Sequence, residues 1–511
     1  MNPPEVEPTS PADDTAGPGA NGDVTLSLVS HTNVGKTTLA RTLLRRDVGE
    51  VRDQAHVTET PEKHAIVEDG DGALLLWDTP GFGDSARLLK HLRRHDRPLV
   101  WFFSQLWDRV TDKPLWSSQQ ATLNIRDEAD VVLYLVNATE EPEDAGYVNP
   151  ELELLNWLGK PVVVVLNQTS DLEPGSPLMR ERLEVWRRHT RRFDVVADVV
   201  ALDAFTRIWV EEDFLLGRLL EVLPEERRPA AQRLRQLWRQ DNLRIFDRSV
   251  ESLADYLADL VTDRETLSSR RPSKEEKEQA QRALAQRLER STEEMTRALL
   301  MLHGLSGDAA ARLEESLHRF KVEGEDRVDP ERGAILGSVL SGAVGGLTAD
   351  ILAGGLTFGG GLLAGAILGA LGGAGLARGY QLAMAGKKAE VRWTPEILSE
   401  IAARAFLRYL AVARFGRGRG EFLAGDEPRR FVETISRVLR RDAEDWENTW
   451  EGLDQSSRAA QELQPRVAKT LQAILVAIYP DARDLFGAQD PLEAQDLSEA
   501  QDPLEARDSR A

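Results

Sequence analysis

Cysteine is absent from the 511 residues, which excludes disulfide bonds, thiolate zinc sites, iron–sulfur clusters and cysteine nucleophiles. Histidine is scarce, with 8 residues and no H-E-x-x-H pattern, so we expect surface histidines rather than a metal site. Basic residues are in the minority, because 64 Lys and Arg face 85 Asp and Glu for a net charge of −21. Phosphate would repel such a chain, so nucleic acid is not an expected partner.

Neither end of the chain carries the pattern of a folded or targeting segment. The first 22 residues are rich in Pro, Gly, Ala and acids and lack the basic and apolar regions of a signal peptide, which predicts a disordered leader. From Ala488 a six-residue near-repeat, AQDPLE, has too little apolar mass to build a core. We divide the chain into a leader at 1–22, a first folded domain at 23–222, a helical domain at 223–332, an apolar hairpin at 333–380, a second helical domain at 381–487 and a disordered tail at 488–511.

A phosphate-binding loop is predicted where the apolar run VTLSLV meets SHTNVGKTTL. The pattern G-x-x-x-x-G-K-[ST] is met except that Ser30 stands in the place of the first glycine. Gly35 lets the backbone approach phosphate, Lys36 brings a positive charge to the β- and γ-phosphates, and Thr37 offers a hydroxyl to Mg²⁺. The predicted phosphate contacts are Ser30, Asn33, Val34, Gly35, Lys36, Thr37 and Thr38.

A second motif, GALLLWDTPGFGD, follows an apolar strand and supports the first. Asp78 at the strand end can hold Mg²⁺ through water, and the Gly81 amide can reach a γ-phosphate, so we assign Lys36, Asp78 and Gly81 to catalysis. The polar segment between the two motifs suits a switch loop. Thr58 and Thr60 are both candidates there for the hydroxyl that senses γ-phosphate through Mg²⁺, with Thr58 preferred. The predicted metal ligands are Thr37, Thr58 and Asp78.

Further apolar runs predict the fold class. ADVVLYLVNA, KPVVVVLNQTSD and DVVADVVALDAF are nearly continuous Val and Leu, which is typical of parallel strands buried on both faces. The segment VNPELELLNWLG between the first two predicts a helix. We expect an α/β fold: a doubly wound parallel-sheet P-loop domain, followed by a mainly α-helical C-terminal region with a Gly-rich apolar helical hairpin.

The motifs SHTNVGKTTL, DTPGFGD, LNQTSD and ALDAF, in this order, resemble those of the Era-like GTPases. The segments YLVNATEEPEDAGYVNPE and LDAFTRIWVEE, together with the Gly-rich stretch, resemble sequences of the bacterial GTPase family that carries the domain of unknown function 3482. This resemblance, from about Val24 to Asp481, implies GTP and Mg²⁺ as cofactors, with Lys36, Thr37 and Asp78 as contacts. Asn33 stands where some Era-like enzymes bind K⁺, which makes K⁺ a further candidate cofactor.

Base recognition departs from the usual N-K-x-D pattern. The strand ends in Asn167-Gln168-Thr169-Ser170-Asp171, so the acid comes one residue late and a glutamine replaces the lysine. Asn167 can contact the base, whereas Asp171 reaches it only if the loop bulges, and a helix N-cap is the alternative for Asp171. GTP is therefore the expected nucleotide and ATP the alternative.

Residues 333 to 377 carry small residues at every fourth position and predict a helical hairpin with close helix packing. Insertion into a membrane and burial among soluble helices are both open, because each arm has only about 17 apolar residues, the lower limit for a span. We expect a cytoplasmic protein, associated with the inner membrane if the hairpin inserts, with a protein partner or self-association.

Three functions fit the sequence. The first is a molecular switch that hydrolyses GTP slowly, since Phe82 stands where many small GTPases have a water-orienting glutamine. The second is a structural or membrane-remodelling assembly driven by nucleotide. The third, ribosome assembly, follows only from the likeness to Era-like proteins.

Overall fold

The computed structural model describes residues 22–32, 34–45, 61–83, 85–94, 113–169, 176–202, 204, 208–305, 380–385, 388–415, 427–453 and 456–486. These residues fall into two compact units. The first lies within Met1–Thr169, Arg182–Leu202 and Leu215–Arg239, and the second within Ser170–Glu181, Asp203–Phe214 and Gln240–Ala511.

A six-stranded sheet forms the centre of the first unit. Its order is β2-β3-β1-β4-β5-β6, and β3, β1, β4, β5 and β6 run parallel to one another. Every residue of β1 and β5 is buried, as the Val and Leu runs predict for parallel strands. The strands are β1 (Val24–Ser30), β2 (Glu62–Asp69), β3 (Gly72–Asp78), β4 (Val131–Asn137), β5 (Val162–Asn167) and β6 (Val196–Ala201).

The edge strand β2 makes the sheet mixed rather than wholly parallel. It pairs antiparallel with β3, from Glu62 opposite Asp78 to Asp69 opposite Gly72. Only two residues connect the strands, which is too short for the crossover that a parallel pair needs. The parallel sheet expected from the sequence therefore holds for five strands, and the sixth closes a hairpin.

Helices follow the strands in alternation. They are α1 (Lys36–Leu44), α2 (Ser85–Leu92), α3 (Lys113–Glu128), α4 (Val148–Leu158), α5 (Pro177–Thr190) and α6 (Trp209–Val222). α4 ends at Leu158, and the φ of 70° at the next residue, Gly159, is the left-handed conformation that commonly stops a helix. The core between helices and sheet includes the fully buried side chains of Tyr134, Phe82 and Trp186.

The second unit is mainly helical. Its first helix, α7 (Arg228–Thr262), begins in the part of the chain assigned to the first unit. The elements that follow are β7 (Arg264–Thr266), α8 (Lys274–Leu302), β8 (Tyr380–Ala385), β9 (Lys388–Trp393), α9 (Pro395–Ala413), α10 (Glu427–Arg441), α11 (Ala443–Leu453), α12 (Ala459–Ile478), a 3₁₀ turn (Pro480–Ala482) and α13 (Arg483–Phe486). Ser273 caps α8 by accepting from Glu276 N at 3.1 Å, and Thr394 caps α9 by accepting from Ile397 N at 3.4 Å.

A small antiparallel sheet of order β7-β9-β8 accompanies these helices and is a feature that the helical periodicity does not predict. The predicted hairpin at 333–377 lies outside the described residues. Among the residues that the structure describes, no helix is both long and apolar enough to cross a membrane.

Candidate functional site

The predicted phosphate contacts lie at the end of β1, in the loop that follows it and in the first turn of α1. β1 ends at Ser30 and α1 begins at Lys36, directly after Gly35. Gly35 has a φ of 93°, and a Cβ there would lie 2.7 Å from Asn167 Nδ2, so both conformation and space require glycine. The start of α1 is the positive end of its helix dipole, which favours an anion at this loop.

Asp78 brings the two sequence motifs together. It is the last residue of β3, which pairs in parallel with β1, and it is 2% exposed. Its Oδ1 accepts from Lys36 Nζ at 2.9 Å and its Oδ2 accepts from Thr37 Oγ1 at 2.8 Å. Lys36 and Thr37, which the sequence predicts as contacts for phosphate and Mg²⁺, thus meet at the predicted carboxylate of Asp78.

The segment after Asp78 lies along the phosphate-binding loop. Phe82 N donates to Ser30 O at 2.9 Å, and His31 and Phe82 form a parallel bridge. A Cβ on Gly81 would lie 3.3 Å from Thr32 Cγ2, which shows how closely the two backbones approach. The Phe82 side chain is fully buried in the core, where a phenyl ring cannot orient water.

Asn167, which the sequence predicts to contact the base, forms a hydrogen bond to the phosphate-binding loop. It ends β5, is fully buried, and donates from Nδ2 to Val34 O at 2.7 Å. The following residue, Gln168, has a φ of 60°, so the chain turns sharply after the strand. The bond to Val34 was not anticipated from the sequence, and Asp171 lies outside the described residues.

The remaining predicted residues divide into those that the structure describes and those that lie outside the described ranges. Ser30 donates from Oγ to His31 O at 2.6 Å, and both Val34 and Thr38 are buried. Predicted residues that lie outside the described part of the chain are Asn33, Thr58, Thr60 and Asp171.

A buried polar cluster beside the loop is absent from the sequence predictions. Glu151, in the first turn of α4, is fully buried. Its Oε1 accepts from His31 Nδ1 and from Ser85 Oγ, each at 2.8 Å, and its Oε2 accepts from Tyr134 OH at 2.8 Å. The His31 ring also stacks on Tyr147 with centroids 4.4 Å apart. Sequence offers one signal, an acid inside the apolar run of α4.

The pKa values of His31 and Glu151 are both raised in this cluster. Burial lowers the pKa of His31, but the hydrogen bond and charge of Glu151, with the charge of Glu140, outweigh it and raise that pKa above its usual value. Burial raises the pKa of the Glu151 carboxyl, against the opposing effect of the hydrogen bonds from His31, Tyr134 and Ser85.

These groups fit a nucleoside triphosphate with Mg²⁺. The hydroxyl of Thr37 and the carboxylate of Asp78 are the hard oxygen donors that Mg²⁺ prefers, and Lys36 supplies a cation for phosphate. The left-handed Gly35 leaves the backbone accessible at the helix start. Within the described ranges, no group of three or more His, Asp or Glu side chains is placed to hold a metal ion by itself.

Two family models match the chain. Residues 192–476, more than half of the 511, match the model described as domain of unknown function DUF3482. Residues 25–168 match the model described as 50S ribosome-binding GTPase.

Curated relatives match part of the chain. "GTPase Era" of Aquifex aeolicus strain VF5 is 24% identical over 204 residues, 39% of this chain and 56% of the relative. "GTPase Era" of Ureaplasma urealyticum serovar 10 is 24% identical over 135 residues, 26% of this chain and 45% of the relative. The chain thus spans about half the length of the curated relatives it matches.

Solved structures show the same kind of similarity. Era in complex with MgGDPNP and nucleotides 1506–1542 of 16S ribosomal RNA is 20% identical, with a TM-score of 0.30 over 40% of this chain and 58% of that one. A probable GTP-binding protein engB is 17% identical, with a TM-score of 0.24 over 39% of this chain and 98% of that one.

Proposed function

Since the chain belongs to the DUF3482 family and joins that region to a P-loop GTPase domain, we propose that it binds GTP with Mg²⁺ and hydrolyses it slowly, as a molecular switch. The observation that carries the proposal is the meeting of Lys36 and Thr37 at the carboxylate of Asp78.

Each residue has a chemical role in this proposal. When nucleotide binds, the Lys36 ammonium would leave Asp78 and contact the β- and γ-phosphates. The Asp78 carboxylate and the Thr37 hydroxyl would then face the Mg²⁺ ion. Bound Mg²⁺ would neutralise charge on the phosphate oxygens. The Gly81 amide donates toward the γ-phosphate, which ties the segment after Asp78 to the nucleotide state.

Slow turnover follows from Phe82. Its side chain is buried, so no group at this position positions the attacking water. A partner, a second protomer or a cation would have to supply the missing stabilisation of the transition state. K⁺ at Asn33 is one such candidate, and the corresponding prediction is faster hydrolysis in K⁺ than in Na⁺, lost in Asn33→Ala.

Guanine preference rests on the match to the GTPase family and on Asn167, placed at the strand end beside the loop. The test is displacement of a fluorescent GDP derivative from the full chain by GTP and by ATP, in Mg²⁺. We expect GTP to compete at concentrations at least about tenfold lower than ATP, a difference of about 1.4 kcal/mol. Equal competition would assign ATP as a substrate of the same site.

Ribosome binding is the alternative that the comparisons favour. The matching family is described as 50S ribosome-binding GTPase, and one similar structure holds a segment of 16S ribosomal RNA. The expectation that nucleic acid is not a partner stays a prediction, based on the net charge of −21. Co-sedimentation with ribosomes in a GTP analogue, against GDP, decides between these two outcomes.

A membrane role remains a proposal from the sequence of 333–377. Alkaline carbonate extraction of the full chain, beside a chain that lacks these residues, tests it. Retention in the pellet that depends on 333–377 supports insertion, and full release of both proteins contradicts it.

A further inference from the structure

A cavity of about 290 Å³ lies among three helices of the second unit. Its lining positions recur every three or four residues along α9 and along α10, so each of these helices contributes one face, and the start of α11 contributes the rest. Much of the wall is apolar, from Ala403, Leu407, Val432, Ile435 and Leu439. Binding sites for small molecules are mainly apolar with a few polar groups and have volumes from about 300 Å³ upward. The cavity has the size and the composition of such a site.

Two polar groups of this lining lack hydrogen bonds. Glu400 Oε2 and Trp446 Nε1 are both buried, and neither has a hydrogen-bond partner among the residues that the structure describes. Trp446 stacks on Trp450 with ring centroids 4.9 Å apart, and Trp450 Nε1 donates to Ser399 Oγ at 2.9 Å. One indole of the stack is therefore bonded and the other is not. A buried polar group without a partner costs free energy that a hydrogen bond from a ligand would recover.

The charges around the cavity balance. Two arginines and two exposed glutamates line it besides Glu400, namely Arg404, Arg440, Glu396 and Glu447. Burial raises the pKa of the Glu400 carboxyl to about 7, against the charge of Arg404, so this carboxyl is mainly uncharged below that pH. Such a lining has no net charge to offset the dehydration of an ion, and it favours a neutral ligand.

We propose that this cavity binds a small neutral molecule with an apolar body and a primary carboxamide. The amide carbonyl would accept from Trp446 Nε1, and the amide N–H would donate to Glu400 Oε2. An uncharged carboxyl also donates, so it can form two hydrogen bonds with one carboxamide, whereas an alcohol offers a single donor. The apolar body would lie against the aliphatic wall. This inference goes beyond the proposed hydrolysis of GTP and does not depend on it.

The test uses 3-phenylpropanamide as the probe, with the isotope-labelled full chain at about pH 6, where Glu400 is mainly uncharged. Two-dimensional NMR follows the indole N–H signals, and the signal of Trp446 is the one that Trp446→Phe lacks. We expect the probe to shift this signal with a dissociation constant on the order of 1 mM.

Two charged probes with the same apolar body, 3-phenylpropylammonium and 3-phenylpropanoate, should bind at least about tenfold more weakly than the amide. Equal or tighter binding of either ion overturns the assignment of a neutral ligand. A Trp446 signal that none of the three probes shifts overturns the site itself, and this is the result expected if ordered water bonds to these groups.

Substitutions locate the two hydrogen bonds. Trp446→Phe keeps an aromatic ring beside Trp450 but has no N–H, and the affinity for the amide, measured from the signals of the probe, should fall at least about fivefold. Trp450→Phe is the matched control, because its N–H already bonds to Ser399, and it should stay within about twofold of wild type. Equal losses in the two variants would overturn the role of the Trp446 N–H.

Glu400→Gln keeps both a donor and an acceptor, so it should bind the amide within about threefold of wild type. Glu400→Leu has neither group and should bind at least about fivefold more weakly. Wild-type affinity in Glu400→Leu would overturn the proposal. If Glu400→Leu or Trp446→Phe does not fold, the ranking of the three probes on the wild type decides.

Discussion

The ammonium of Lys36 and the carboxylate of Asp78 form a buried ion pair, with 2.9 Å between Nζ and Oδ1 and side chains 7% and 3% exposed. The pair joins the end of β3 to the start of α1, across 42 residues of sequence. A buried ion pair is costly to break by removing one partner, because the other charge is left without compensation. In the proposed site, phosphate would replace Asp78 as the partner of Lys36.

The left-handed conformation of Gly35 gives a first prediction. In Gly35→Ala, a Cβ meets Asn167 Nδ2 at 2.7 Å, in addition to a backbone cost of about 1 kcal/mol, so we expect nucleotide affinity to fall at least about tenfold by calorimetry. Gly159→Ala is the matched control, since Gly159 also has a positive φ of 70° but has nothing within 4 Å of its Cβ position. Equal losses of affinity in both variants would contradict the steric account.

The hydrogen bond from Asn167 to Val34 O gives the second prediction. Asn167→Ala removes a buried bond to the phosphate-binding loop, worth about 1 kcal/mol, and we expect about fivefold weaker binding of GDP. Asn156→Ala is the control, because Asn156 makes one long bond of 3.4 Å to Val195 N. If Asn167→Ala weakens GDP and ADP binding equally, Asn167 supports the loop only, and base preference resides elsewhere.

Phe82 supplies the third prediction. Because the ring is in the core, Phe82→Leu should lower stability by about 1 kcal/mol and leave the turnover number within about twofold of wild type. Single-turnover hydrolysis at saturating GTP measures the rate. A fall of tenfold or more in the turnover number, equal to a rise of about 1.4 kcal/mol in the activation barrier, would show that the ring takes part in the reaction.

Local sequence patterns predict much of the first unit. Buried parallel strands need continuous apolar runs, and a phosphate-binding loop needs its glycine, lysine and threonine at fixed spacing, so both are visible in the chain. The juxtaposition of Lys36 with Asp78 follows as well, because Lys36 begins the helix that follows β1 and Asp78 ends the adjacent parallel strand β3. The contacts of Asn33, Thr58 and Asp171 stay predictions.

Other features arise only from tertiary contact. His31 and Glu151 are 120 residues apart, and nothing near either residue in the sequence indicates the other. The strand β7 has three residues and is defined by pairing with β9, from Arg264 opposite Arg392 to Thr266 opposite Glu390, rather than by its own composition. Edge pairings and buried polar partners of this kind depend on which elements meet.

Glu400 on α9 gives the fourth prediction. It lines a pocket of about 290 Å³ with Arg404 and Trp446, and its buried Oε2 has no hydrogen-bond partner among the residues that the structure describes. Burial raises its pKa from 4.5 to about 7, against the charge of Arg404. The unfolded chain ionises first, so the contribution of Glu400 to stability is complete below about pH 4.5 and is lost as pH rises through 7.

Thermal unfolding of the full chain checks this sign. Glu400→Gln should unfold at higher temperature than wild type at about pH 8 and show little difference at about pH 5. Glu396→Gln, an exposed residue one turn earlier, should follow the wild type at both values. A constant difference between Glu400→Gln and wild type across this range would contradict the assignment.

Calorimetric binding of GDP and of a non-hydrolysable imido analogue of GTP to Lys36→Ala, beside wild type and Lys63→Ala, tests the central claim most directly. Lys63 lies on β2 and is 42% exposed, so Lys63→Ala should bind like the wild type. The proposed site predicts a loss of about 3 kcal/mol in Lys36→Ala, or on the order of 100-fold in affinity, because no other cation of the described loop replaces its ammonium. Wild-type affinity in Lys36→Ala would contradict the assignment of this loop to nucleotide phosphate.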